Sequence, residues 1–471
     1  GYARRCIFGY GHVEKKAFRN MSAAEIYKNL TQPTNDTTIN KWSALFHTLA
    51  DPAMYGWKMK VEDDVGIRLL EYKIACEKLA EEFPEHEEIK KAELSHRYFK
   101  VLKLAGAFAF IDKSIHVEMD HLEYAILLVQ ESGEAFQAIL NREKTYVKLA
   151  KYIAATNSEL THADLNEALP FYKSGKSARD EMITLAIAWG YRQHIIIKKT
   201  FMDGIEFFKG ETLKETSLNE MILSYSDHYA YHYQGEKVPF DRLHEMTQMG
   251  GIHWANHFFS NEHRLEENVI PGFNMLVIDV DSGTTVEAAR ELLKEYKFLI
   301  YTTKRHQKDD NGDRFRIIIP INYILELDSN EYKEFMRNVL NWLPFPTDEA
   351  SLQRSKKWET FNGDYFYNLE GEILDALKFI PKTQKNEQYL NNYKQVADMG
   401  NLERWFAERM ANGNRNNQMI KYALALVDSG LDLMTVSKTV HAFNKKLSNP
   451  LSEEEIEQTI MTSVAKRFVK G

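Results

Sequence analysis

Phe273-Asn274-Met275-Leu276-Val277-Ile278-Asp279-Val280-Asp281 is the stretch on which the reading of this chain turns. Four apolar residues, β-branched at two of the four, run into two carboxylates at i and i+2, which on a strand share one face. Two acids held a few ångströms apart repel unless a cation lies between them. Mg²⁺ or Mn²⁺ is the hard, oxygen-seeking ion that such a pair selects. Taken alone, the same letters also describe a buried strand closing on a polar turn, so the residues around it decide.

Downstream comes Phe298-Leu299-Ile300-Tyr301-Thr302-Thr303-Lys304-Arg305-His306, a second apolar strand that ends in hydroxyls, two cations and a histidine. A polar, Gly-containing turn, 307–313, leads into Arg314-Phe315-Arg316-Ile317-Ile318-Ile319-Pro320, a third strand with arginines on alternate positions. Carboxylates on one strand are thus followed by donors on the next two. A metal with Arg, Lys and His is the equipment for holding a triphosphate, because the ion and the cations neutralise charge that spreads over phosphate oxygens during transfer.

This order, continued by Pro346-Thr347-Asp348-Glu349-Ala350-Ser351 and Arg354-Ser355, resembles the archaeo-eukaryotic primase superfamily, in particular the primase-polymerase modules of phages and plasmids. The resemblance implies that Asp279, Asp281 and Asp348 hold a two-metal Mg²⁺ or Mn²⁺ site. It implies that His306, with Lys304, Arg305, Arg316 and Arg354, binds the incoming nucleotide. The family places a small hydroxyl residue two before the histidine, and here that position is Lys304, with Thr303 three before. The function implied is DNA-dependent nucleotidyl transfer: a DNA primase, or primase-polymerase, making primers on single-stranded DNA from NTPs or dNTPs in phage or mobile-element replication. Two rivals stand beside it. An Asp-x-Asp phosphohydrolase forms an aspartyl-phosphate but wants Thr or Val where Gly283 stands. A non-catalytic DNA-binding replisome or origin-recognition protein would leave the work to helical modules.

With 471 residues the chain exceeds one core and implies about three domains. Hydrophobic residues at 44% and charged residues at 27% are the proportions of an ordinary globular protein. No apolar run approaches the roughly 20 residues of a membrane helix and no signal segment opens the chain, so a cytoplasmic protein with no membrane partner is expected. Cys6 and Cys76 stand far apart, which offers neither a disulfide framework nor a cysteine zinc site. The net charge of −8 argues against a surface coated in nucleic acid; the cations needed concentrate between Lys304 and Arg316. The chain opens on Gly1, not Met, inside a patterned segment, as a piece of a longer polypeptide would.

The expected class is α+β: a mainly helical N-terminal region, a winged helix, an RRM-like primase catalytic core and a C-terminal helical domain. Residues 1–140 read as helical, with apolar spacing of three and four over 71–82, 89–105 and 119–133. The opening Gly1-Tyr2-Ala3-Arg4-Arg5-Cys6 and His96-Arg97-Tyr98-Phe99-Lys100 are similar to the segment that succeeds the nucleotide-binding core in phage helicase-primases, which implies that residues 1–140 are the tail of a helicase-type ATPase, with the ATPase portion of the same longer polypeptide as partner. Residues 141–215 have the plan of a winged helix, with a hairpin about Asp203-Gly204. Lys176 and Arg179 on its third helix and Lys198 and Lys199 near the wing are the candidates for DNA, although winged helices also bind proteins. Gly175-Lys176-Ser177 copies the end of a phosphate-binding loop, but Pro170 stands where that loop needs glycine, so no ATPase site is read here.

Residues 216–385 form the expected catalytic module. Within it His253 and His257 have helical zinc spacing but no convincing third ligand, so packing histidines are expected. The polar stretch 386–400 reads as a linker. Residues 401–471, with Gly413-Asn414-Arg415-Asn416 and a Ser452/Glu455 capping box, resemble the primase C-terminal helical domain.

Overall fold

The computed structural model describes residues 5–11, 21–32, 36–156, 158–172, 175–308, 312–411 and 413–470. Gly1 to Arg4 of the opening segment, Lys173 and Ser174 of the lysine-serine turn, and Asp309 to Asn311 of the loop before Arg314 lie outside these residues. The chain forms two compact units, Gly1–Glu143 and Lys144–Gly471, and it is a mixed α+β protein with a helical C-terminal region.

In the first unit, the helices Asp63–Glu81, Arg97–Ile111 and Met119–Leu140 bury Val65, Leu69, Val101, Ala105, Leu122 and Val129 in one core. The helix expected over 89–105 breaks at His96 into Glu88–Ser95 and Arg97–Ile111. Buried Glu93 spans the break, pairing with Arg97 at 2.8 Å and Lys100 at 3.2 Å.

The second unit opens with the helix Thr145–Ala155, the short strand Leu160–Thr161 and the helices His162–Ala168 and Lys176–Arg192. The hairpin Ile195–Met202 and Ile205–Thr212 comes next, its turn made by Asp203 (φ 52°) and Gly204 (φ 80°). Positive φ at both central residues gives a turn whose twist matches the strands. The short strand pairs with the second hairpin strand, completing three strands over a core that includes Leu149, Ile153, Ile183 and Phe208. The hairpin is tied to the rest of the unit. Lys199 N–H donates to Lys382 O at 2.8 Å, and buried Lys198 reaches Glu331 at 3.0 Å and Glu211 at 3.3 Å. This corrects the assignment of Lys198 to DNA: its side chain is buried between Glu331 of the helix Ser329–Trp342 and Glu211 of the second hairpin strand.

The Asp-x-Asp strand is Phe273–Val280. It joins Phe315–Leu325, Phe298–Thr302 and Tyr365–Asn368, in that spatial order, in an antiparallel sheet. The helices Val286–Leu292 and Ser329–Trp342 pack on the face bearing Leu276, Ile278 and Val280. The opposite face, bearing Met275, Val277, Leu299, Tyr301 and Ile318, is covered by a second sheet, through Met221, Leu223, Trp254 and Trp358. That second layer is not legible in the sequence, because its strands Met221–Ser226, Gln234–Val238, His253–Ala255 and Trp358–Glu359 are short and two of them span only two or three residues. The fourth strand of the first sheet lies outside the second strand rather than beside the first, where a split β-α-β arrangement would put it.

His253 begins a strand, not a helix. His257 is buried against Phe273 and Tyr332, and burial pulls its imidazole down to about 3. The stretch expected to be a linker is the helix Gln384–Gln395, capped by Thr383. Its polar letters are spent on internal bonds: Asn386 Nδ2 donates to Lys378 O and the Tyr389 hydroxyl to Asn338 O.

The C-terminal helices Asn401–Arg409, Arg415–Asp428 and Leu433–Lys446 and a final helical stretch over 453–470 continue the core of the first sheet through Trp405, Tyr422, Val440 and Ile460. Between the first two, Gly413 takes φ 97°, Asn414 Oδ1 accepts from Ala411 N–H, and Asn414 Nδ2 donates to Arg409 O. Gly-Asn-Arg-Asn is therefore a helix stop and restart. The Ser452/Glu455 capping box forms as expected.

Candidate carboxylate centre

Alternation along Phe273–Val280 puts Asp279 on the face of Met275 and Val277, between the two sheets and at their end. Asp281 lies just beyond the last strand residue. Asp348 comes from a separate loop, and its N–H donates to Asp279 O at 3.3 Å, clipping that loop to the strand end. Ligand oxygens of Asp279, Asp281 and Asp348 all lie within 4.8 Å of one another. Gly283 makes the approach feasible: it adopts φ 87°, and a Cβ there would stand 2.8 Å from Pro346 Cγ. The glycine that counts against a phosphohydrolase is the one on which Pro346-Thr347-Asp348 closes.

Two arginines face these acids, Arg316 in register with Asp279 and Arg314 through a side-chain contact with Asp281. Arg316 sits opposite Asp279 and also opposite Tyr301, which in turn sits opposite Tyr365, so one row of side chains crosses the sheet. Arg316 Nε contacts Asp279 Oδ1 at 3.0 Å, and its Nη1 donates to Glu359 O at 2.7 Å. Arg314 Nη1 contacts Asp281 Oδ1 at 3.2 Å. Burial pushes the Asp279 carboxyl above its ordinary range, Arg316 opposes that, and the Asp281 charge adds to it.

The donor set fits a hard divalent cation. Neighbouring oxygens on an octahedral Mg²⁺ stand about 3 Å apart and opposite ones about 4.2 Å, so three carboxylate oxygens within 4.8 Å of one another can close on one ion by side-chain rotation. Each arginine contacts Oδ1, leaving Oδ2 of Asp279 and Asp281 to ligate.

The turn after the second strand brings His306 to the same end of the sheet, because Thr302 and Val280 both pair with Phe315. His306 Nδ1 accepts Arg314 N–H at 3.1 Å, which fixes the tautomer with the proton on Nε2. Nε2 stands 4.0 Å from Asp313, whose Oδ2 accepts Val286 N–H at 2.8 Å. Lys304 and Arg305 are exposed on that turn.

Arg354 is placed differently from the expectation. Its Nε pairs with Glu266 at 2.8 Å and its Nη1 donates to Leu327 O, so it braces two loops instead of offering a free cation. In the 145–212 segment, Lys176 is exposed on the first turn of its helix, Arg179 is half-buried, and Lys199 pairs with Glu206 at 3.3 Å over the Phe208 ring.

Sequence reasoning counted Arg314 among the strand arginines but gave no site role to it, nor to Lys356 or Lys357. Arg314 had a legible signal, since Arg-x-Arg on one strand mirrors Asp-x-Asp on its neighbour. Lys356 lies over the Trp358 ring at 5.5 Å, Arg316 lies over the same ring at 5.4 Å, and the Lys356 charge reaches Asp279. That convergence depends on the second sheet and has no local pattern.

Among the described residues no helix is long and apolar enough to cross a membrane. Against known proteins, no curated protein and no solved structure matches the chain. Residues 403–470 match the family Primase C terminal 1 (PriCT-1), on the segment that resembles such a domain in sequence, and this match supports a primase-related family for that C-terminal segment.

Proposed function

We propose that the second unit is a DNA-dependent nucleotidyltransferase that makes primers on single-stranded DNA, with a catalytic sheet whose first three strands have the RRM-like order, a winged helix over 145–212 and a PriCT-1 domain at its C-terminus. The observation that carries the reading is the convergence of Asp279, Asp281 and Asp348 from two separate chain segments, with Arg316 in register beside Asp279 and Arg314 in contact with Asp281. A chain matched to PriCT-1 supplies the context for it. Asp279, Asp281 and Asp348 would hold two Mg²⁺ or Mn²⁺ ions, which when bound supply activation of the attacking 3′-hydroxyl and neutralisation of phosphate charge. Arg316 and Arg314 hold Asp279 and Asp281 in place, each through one oxygen. His306 presents a proton on Nε2, at the sheet end bearing the carboxylates, to a phosphate oxygen; Lys304 and Arg305 add point charge from the same turn.

The test is incubation of the purified chain with single-stranded template, Mn²⁺ or Mg²⁺ and labelled nucleotides without a primer. New oligonucleotides that vanish in Asp281→Ala support the reading, and Mn²⁺ binding measured by electron paramagnetic resonance gives a second readout. Undiminished synthesis by Asp281→Ala would refute the catalytic assignment.

A further inference from the structure

The loop over 227–233, between the strands Met221–Ser226 and Gln234–Val238, reads Asp-His-Tyr-Ala-Tyr-His-Tyr. Tyr229 and Tyr231 are 66% and 57% exposed, so neither is spent on the core. The loop is nevertheless fixed. Ser226 Oγ donates to Tyr231 O at 2.6 Å and accepts His228 N–H at 2.9 Å; Arg264 N–H donates to Ala230 O at 2.9 Å. The Arg264 guanidinium donates twice to Tyr229 O, at 3.3 and 3.2 Å. Tyr231 stacks on His263 with centroids 4.3 Å apart and planes at 19°, which leaves its other face open.

Cations gather under this loop. Lys357 Nζ lies 3.8 Å from the Tyr229 ring centroid and 3.2 Å from His253 Nδ1. Among the described residues no carboxylate oxygen lies within 4.0 Å of Lys356 or Lys357. Burial lowers the Lys357 ammonium, Glu359 opposes this, and Arg264, Arg316 and Lys356 lower it further; burial and Lys357 lower the His253 imidazole. A polyanion would relieve that crowding. The patch is continuous with the carboxylate centre, since Arg264 Nη1 donates to Ser355 O at 2.6 Å and the next residue, Lys356, shares the Trp358 ring with Arg316.

We propose that the 227–233 loop is a base-stacking platform for single-stranded nucleic acid, with Tyr229 and Tyr231 as stacking rings, Arg264 bracing the loop from below and Lys357 as the cation that meets the phosphates. Open aromatic faces beside a cationic shelf suit a strand whose bases are unstacked, whereas a duplex keeps its bases stacked on one another. Within the proposed function this is the template's path to the carboxylates, and it rests on that reading only for the strand's role as template. A rigid loop loses little conformational freedom on binding.

Fluorescence anisotropy with the full chain and a labelled oligothymidylate, over a range of salt and without divalent metal, tests it. Tyr229→Ala and Tyr231→Ala should each weaken single-strand binding about tenfold, with unchanged melting and unchanged salt slope. Lys357→Gln should reduce that slope by about one. Wild-type affinity in the double tyrosine variant would overturn the inference. So would an equal loss of duplex binding, or a loss confined to nucleotide affinity. Tyrosine-dependent single-strand binding by a wild-type chain that makes no primers would uphold the platform while the nucleotidyltransferase reading fails.

Discussion

Gly283→Ala is the perturbation that separates the three-carboxylate centre from its surroundings. The residue sits at φ 87°, where an L side chain costs roughly 1 kcal/mol or more, and the new Cβ would stand 2.8 Å from Pro346 Cγ. Relief to ordinary van der Waals contact, about 3.5 to 4 Å between carbons, requires a shift of roughly 0.7 to 1.2 Å. Pro346 is two residues before Asp348, so the shift falls on the loop that delivers the third carboxylate. A total of about 1 to 2 kcal/mol should lower the melting midpoint by a few degrees. Misplacement of a positioned group by about 1 Å can cost on the order of 100-fold, and that is the loss expected in primer synthesis and Mn²⁺ affinity. Gly250→Ala is the control, as nothing lies within 4 Å of its Cβ position and no positive φ is recorded there. Differential scanning calorimetry, Mn²⁺ titration and primer-free synthesis read the three consequences. Wild-type metal affinity and synthesis in Gly283→Ala would refute the argument that Asp348 is held in place by this contact.

The two strand carboxylates should behave differently on removal. Asp279→Ala leaves Arg316 unpaired in the interior and should cost about 3 kcal/mol, whereas Asp281→Ala, in a half-exposed pair, should cost less than about 1 kcal/mol; calorimetry distinguishes them, and both should abolish synthesis. His306→Asn can keep an acceptor for Arg314 N–H while removing Nε2, so it should melt near the wild-type temperature yet need roughly 10- to 100-fold more nucleotide; an unchanged Km would place the phosphate site elsewhere. Lys198→Ala strips a partner from Glu331 and Glu211 and should lower stability by about 2 to 3 kcal/mol while duplex and single-strand affinity stay constant. His257, held at about 3 by burial, stays neutral in the fold while the unfolded chain takes up a proton below about pH 6.5. Unfolding free energy of this unit should thus fall by about 1.4 kcal/mol per pH unit between pH 6 and 4 from this residue, and a His257→Gln variant should lose that part of the slope in acid denaturation.

The range of the forces involved decides which features are legible in the letters alone. The strand Phe273–Val280, the hairpin turn at Asp203-Gly204 and the Ser452 capping box are local, so letters a few residues apart determine them. Lys198 misled because a charged residue on a strand near a hairpin suggests solvent, and only the helix Ser329–Trp342, more than a hundred residues on, turns that position into an interior salt bridge. The stretch 386–400 misled for the converse reason: Asn and Gln are loop letters until buried carbonyls such as Lys378 O take up their amides. The carboxylate centre lies between these cases. Asp279 and Asp281 are given by one strand's period, but their grouping with Asp348 depends on a glycine at positive φ and one backbone hydrogen bond across about seventy residues. Arg316 has a double dependence, on register with Asp279 and on Trp358 from the second sheet. An arginine so held spends its donors on a carboxylate, a carbonyl and a tyrosine before any substrate arrives. In the proposed function, phosphate contact would accordingly fall first to the exposed cations of the His306 turn, Lys304 and Arg305, while Arg316 holds the geometry of Asp279.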